Sequence, residues 1–238
     1  MRAVGAHPVM PGELVIAIRR AHARLGGAIE PLTDPQVAVP SRLPGWSRGH
    51  VLAHLTGVGF AAARQVEFAR RGAFVDLYDG GRPARDAAIE AGASAPAAAH
   101  VRALRLATER IDALLVGLAP ADWDRPVRFR DGVVRDMVLA WWREIEIHLT
   151  DLDVGPDSDG WSAGFCNHLA DFLAARVAPG TCLVLEAPDG WACELGAGEP
   201  RIVRGACTDL VAWLAGRDPV RPVRAGDGGE LPQLGPWP

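Results

Sequence analysis

Between Pro11 and Leu152 apolar residues recur every three or four positions in four long stretches, and beyond Leu152 that rhythm stops. A period near 3.6 marks amphipathic helices, which must pool their apolar faces to hide them from water. The first stretch, Pro11 to about Gly26, aligns Leu14, Ile18, Ala21 and Leu25. The second follows Ser47, a good N-cap, and runs to about Arg71, where Gly72 suits a stop. Its inward stripe is Val51, His54, Leu55, Val58 and Ala62. The third, Ala97 to Leu118, aligns Val101, Leu104, Ala107, Ile111 and Leu115, and the fourth runs from about 133–135 to Leu152. Four such helices with polar connections predict a four-helix bundle. A short helix is expected near Arg85–Glu90, and a small hairpin over Pro126–Arg135, turning at Asp131-Gly132.

The segment LDVGPDSDG, Leu152 to Gly160, reads as a linker. After it come a helix over Trp161–Arg176, three strand-like runs (TCLVLEA, GWACEL, PRIVRG) and a last helix over about Ala206–Ala215. That order predicts a small α+β domain. The expectation is therefore an α+β protein with a helical domain at 1–155 and a small α+β domain at 156–238. A net charge of −4 with no basic block argues against nucleic acid as a partner. No apolar run is long enough for a bilayer and no charged-then-apolar leader opens the chain, so a cytoplasmic protein away from membranes is expected. Cys166, Cys182, Cys193 and Cys207 form no CxxC pair and read as small buried thiols. All 25 basic residues are Arg, which excludes lysine-based covalent chemistry.

The stretch WWREIEIHLTDLDVG, Trp141–Gly155, carries polar groups in an apolar setting. At helical spacing Met137, Trp141, Glu144, His148 and Asp151 share one face. Buried polar groups need a partner: each other, a water or a metal ion. His54 falls in an apolar stripe of another helix, and bundle cores build metal sites from facing helices. Two imidazole nitrogens and one carboxylate oxygen suit a divalent cation such as zinc, and three protein ligands leave a coordination position open. From spacing alone, a surface Glu–His pair and a hydrogen-bonded core histidine are the commoner readings. His50, nearer the helix start, is expected to be exposed. Glu146 lies about 200° around the helix from Glu144 and is expected to be solvated.

LPGWSRGHVLAHL, RDAAIEAGA, the WWREIEIHLTDLDVG helix and the closing AWLAGRD…LPQLGPW together resemble the mycothiol-dependent maleylpyruvate isomerase family over nearly the whole chain. The resemblance implies a DinB-like metal-binding four-helix bundle followed by a sterol-carrier-like domain. It implies that His54, Glu144 and His148 hold a divalent metal, zinc, and that the thiol mycothiol is the cofactor. It further implies that a thiolate adds to the cis double bond of a small substrate, maleylpyruvate, and leaves after rotation to give the trans isomer. Arg217, in AWLAGRD, matches the arginine that the family's C-terminal domain brings to the site; its other reading is a charge at a helix C-terminus. Asp151 is expected to orient His148 from behind. Arg85 and Arg143 are read as ion-pair partners, Trp46 and Trp141 as packing residues, and Asp153 as solvated or capping. A thiol transferase acting on another electrophile, and a non-catalytic binding module, share the same bundle.

Overall fold

The computed structural model describes residues 9–238. The chain divides into two compact units, one formed by residues 10–156 and one containing residues 157–238.

In the first unit α1 spans Pro11–Ile29, α2 Asp34–Val37, α3 Arg48–Arg70, α4 Gly81–Gly92, α5 Ala97–Val116 and α6 Val134–Asp151. The four long helices form a bundle in which α1 and α3 each pack against both α5 and α6, while α4 lies on α3. The expected stripes face inward: Leu14, Ile18, Ala21 and Leu25 on α1, Val51 and Leu55 on α3, and Leu104 and Ala107 on α5 are at most 1 % exposed. Between α1 and α3, α6 buries Met137, Trp141, Trp142, Ile145 and Leu149, leaving little of its surface to water. Helix starts are specified locally. Ser47 Oγ caps α3, Pro11 opens α1, and the Ala97 N–H at the head of α5 donates to Asp34 Oδ1 at 2.7 Å.

The hairpin expected around Asp131-Gly132 is not formed. Pro126 and Val133 make one isolated antiparallel bridge, and Phe129–Asp131 is a 3₁₀ turn with Arg130 and Asp131 at φ 54° and 50°. Buried Gln65 explains why no ladder grows. Its Oε1 accepts from the Arg128 and Phe129 N–H groups, so the loop is pinned to α3 rather than paired with itself.

In the second unit α7 spans Ala163–Leu173, β1 Gly180–Glu186, β2 Ala192–Gly196, β3 Gly198–Arg204, α8 Cys207–Leu214 and β4 Arg224–Ala225. The sheet order is β2-β1-β3-β4, with β1 antiparallel to β2 and parallel to β3. Consecutive strands thus lie on opposite sides of β1, and the chain crosses β1's start at Gly196-Ala197-Gly198. A side chain is not tolerated there: a Cβ on Gly198 would sit 2.0 Å from the Gly180 carbonyl oxygen, and both glycines have positive φ. Leu183 and Leu185 of β1 and Leu169, Leu173, Leu210, Val211 and Leu214 of the two helices are buried together. Asp209 fastens the tail. Fully buried, it accepts from the Val220 and Arg221 N–H groups and from Arg221 Nε. All four cysteines are free; Cys166 is buried and the other three are half-buried.

Candidate metal centre

Three side chains from two helices converge. His54 lies on the second turn of α3, and Glu144 and His148 one turn apart on α6. His54 Nε2 is 2.8 Å from Glu144 Oε2 and 3.1 Å from His148 Nε2, and His148 Nε2 is 3.2 Å from the same carboxylate oxygen. The imidazoles stand edge to face, with ring centroids 4.7 Å apart. His54 is buried, while the Glu144 side chain keeps 32 % exposure, so the cluster opens to solvent on the carboxylate's side. Among the described residues this is the one group of three His, Cys, Asp or Glu side chains whose ligand atoms all lie within 4.8 Å of one another.

The ring nitrogens turned away from the centre are also held. His148 Nδ1 is 2.9 Å from Asp151 Oδ2, whose side chain is 1 % exposed. That buried carboxylate takes the Nδ1 hydrogen and leaves the Nε2 lone pair for the centre. His54 Nδ1 instead faces Arg85 Nη2 at 3.1 Å, and Trp46 closes on the His54 ring edge at 5.7 Å. A guanidinium offers only hydrogens, so in this arrangement His54 accepts at Nδ1. Ligation through Nε2 puts the ring hydrogen on Nδ1 and requires Arg85 to turn to another acceptor. Its ion-pair partner, Asp86, is half exposed, so that pairing holds the head group lightly.

The charges explain what the cluster wants. Burial alone would raise the Glu144 carboxyl, but hydrogen bonds from His148 and His54 outweigh it and hold it well below the usual range. Burial lowers His54, against the pull of Glu144. Burial would lower His148 too, yet the Asp151 and Glu144 carboxylates lift it to about 9. Two carboxylates sharing one pocket draw a cation inward, and where no metal serves, a proton does. The donor set, two imidazole nitrogens and a carboxylate with a buried carboxylate behind one ring, fits a divalent transition metal.

Of the other expectations, those for Glu146 and His50 changed and those for Trp141 and Asp153 held. Glu146 is not solvated: it is 5 % exposed and accepts from Arg24 Nη1 of α1 at 2.7 Å, because the face of α6 opposite Glu144 meets α1. His50 is only partly exposed; its Nδ1 accepts from the Ser47 N–H, helping to cap α3. Trp141 packs in the core and donates from Nε1 to His22 at 2.9 Å. Asp153 is exposed and paired with Arg42. Arg143 is half-buried beside Glu144, and burial pushes its guanidinium down to about 10. Arg217 belongs to the second unit, where its guanidinium lies over the Trp237 ring at 5.6 Å and donates to the Ala215 carbonyl. Arg85 was read from the sequence only as an ion-pair residue; its contact with His54 carried no signal in the polar pattern of α4.

No helix among the described residues is long and apolar enough to cross a membrane. A sequence search of curated proteins returned no match. Two solved structures superpose over all of this chain and all of theirs, each with a TM-score of 0.85 and 20 % identity. They are the mycothiol-dependent maleylpyruvate isomerase and a histidine-to-alanine mutant of it. That likeness establishes the fold. Residues 18–153, more than half of the chain, match the family described as the mycothiol maleylpyruvate isomerase N-terminal domain. The chain belongs to that family.

Proposed function

We propose that this protein is a zinc-dependent enzyme that uses mycothiol to convert maleylpyruvate, or a close analogue, into its trans isomer. The observation that supports it most is the convergence of His54 Nε2, His148 Nε2 and a Glu144 oxygen on one point that is open on one side. A divalent cation held there with a vacant position would stabilise a thiolate at neutral pH; addition of a thiolate to a conjugated cis double bond forms a C–S bond and breaks the π bond to leave an enolate, the resulting single bond rotates, and expulsion of the thiolate re-forms the double bond in the trans isomer.

The chain's own residues do the rest. His54, Glu144 and His148 hold the cation, and Asp151 fixes the tautomer and aim of His148. Trp46, against His54, restricts water on that side. Arg217 is proposed to grip a substrate carboxylate. Arg217→Ala is then expected to lower turnover at least tenfold with zinc content unchanged (an order of magnitude set by one charged hydrogen bond). Unchanged kinetics would remove it from the site.

The triad organises a thiol without choosing the acceptor, so transfer of mycothiol to another electrophile is the second reading. Mass balance separates the two. Incubated with mycothiol and maleylpyruvate, an isomerase returns all of the thiol and a product of substrate mass; a transferase consumes thiol and leaves sulfur on the product. No thiol-dependent change of the substrate would sink the isomerase reading.

A further inference from the structure

Beside the metal centre lies a cavity of about 310 Å³, lined by Gly57 and Phe60 of α3, by Tyr78 and Asp79 of the loop that follows, and by Arg85 and Ala88 of α4. Arg85 is the wall it shares with the centre. One nitrogen meets His54 Nδ1, and the same side chain hydrogen-bonds the Tyr78 side chain. Gly80 and Gly81, both at positive φ, make the sharp turn from the Tyr78 loop into α4.

We propose that this cavity is the carboxylate subsite of the enzyme, with Arg85 and Tyr78 gripping a carboxylate of a small cis-dicarboxylic electrophile next to the His54 ligand. The inference rests on the function proposed above.

Charge selects Arg85. Two other guanidiniums line the cavity, but Arg64 is bidentate with Asp79, and Arg110 is bidentate with Glu67. Among the described residues, the close partners of Arg85 besides Tyr78 are the His54 ring and the half-exposed Asp86. A planar fork beside a phenol hydroxyl is a good receiver for a carboxylate. A cation on His54 Nε2 would also oblige Arg85 to find a new acceptor, and the ligand supplies one. The volume sits at the low end for small-molecule pockets, which suits a compact acid rather than a large one.

One feature of the wall points to an occupant. Gly57 sits exposed in the interior of α3, where glycine is destabilising relative to alanine. A Cβ added there would meet nothing within 4 Å, so no protein neighbour demands the glycine. What a larger side chain would occupy is the cavity.

The test uses the full zinc-loaded chain and maleate as probe, titrated calorimetrically without thiol, with zinc quantified in every sample. Wild type is expected to bind maleate. Arg85→Met should weaken binding about 10- to 100-fold, the size of a lost charged hydrogen-bond pair, at unchanged zinc content. Arg85→Lys should recover part of the loss, because it restores charge but not the fork. Gly57→Leu should weaken binding comparably while raising the melting temperature by about 2 °C, so that its effect cannot be blamed on misfolding. The proposal is overturned if wild type does not bind maleate, if both variants bind it as wild type does, or if affinity falls only in step with lost zinc. Maleate binding that depends on Arg85 in a protein inactive with mycothiol would sink the isomerase reading and keep the subsite. Isomerase activity with maleate binding indifferent to both variants would do the reverse.

Discussion

Glu144→Ala is expected to yield a folded bundle that binds no zinc and has no thiol-dependent activity. In the proposed metal set the carboxylate is the one anion, and both imidazoles touch the same oxygen. Without it two neutral rings remain, and the cation loses its only charge-neutralising ligand. Apportioning a typical zinc binding energy among its ligands puts the loss on the order of a thousandfold in affinity. The fold should tolerate the change. Glu144 is partly exposed on α6, alanine is the best helix former, and the core beneath consists of Met137, Trp141, Ile145 and Leu149. Elemental analysis beside circular dichroism checks both halves. A Glu144→Ala protein with a full equivalent of zinc would remove this residue from the metal set.

Asp151→Ala is expected to weaken zinc binding by about 10- to 100-fold, although Asp151 is not itself among the three proposed ligands. Its carboxylate holds His148 in the tautomer that leaves Nε2 free and makes the ring more basic. A second effect opposes the first. Asp151 is also a main reason why His148 titrates at about 9, so below that pH zinc must displace a proton from His148. Wild-type affinity should therefore rise about tenfold per pH unit up to roughly pH 9. In Asp151→Ala the proton is held less tightly, the slope flattens, and the deficit relative to wild type should be larger at pH 9 than at pH 7. Chelator competition at the two pH values measures this. A deficit independent of pH would mean that Asp151 acts only by orienting the ring.

The bundle was legible because its four long stripes repeat at helical spacing; His54, Glu144 and His148 each interrupt an apolar stripe, but spacing alone left a Glu–His pair and a core histidine open, and the family resemblance is what joined them as a proposed metal set. Legibility stopped where one helix meets two neighbours. Glu146 looked solvated by rotation from Glu144, but α6 lies against both α1 and α3, so its far face is interior too and Arg24 answers the charge. The Asp131-Gly132 turn was misjudged because the deciding contact, Gln65, lies more than sixty residues away. Arg85 was undervalued because α4 buries only Ile89 and carries no apolar stripe to orient it. The two-residue strand β4 pairs only Val203 with Ala225 and Arg204 with Arg224, too short a segment for alternation to show.

The most direct test is X-ray absorption at the zinc edge on the purified protein, before and after mycothiol is added. A thiol-activating zinc on His54, Glu144 and His148 requires stoichiometric metal with nitrogen and oxygen neighbours alone, then a new sulfur shell at about 2.3 Å once the thiol is present. Absence of bound zinc, or a spectrum unchanged by mycothiol, would contradict it.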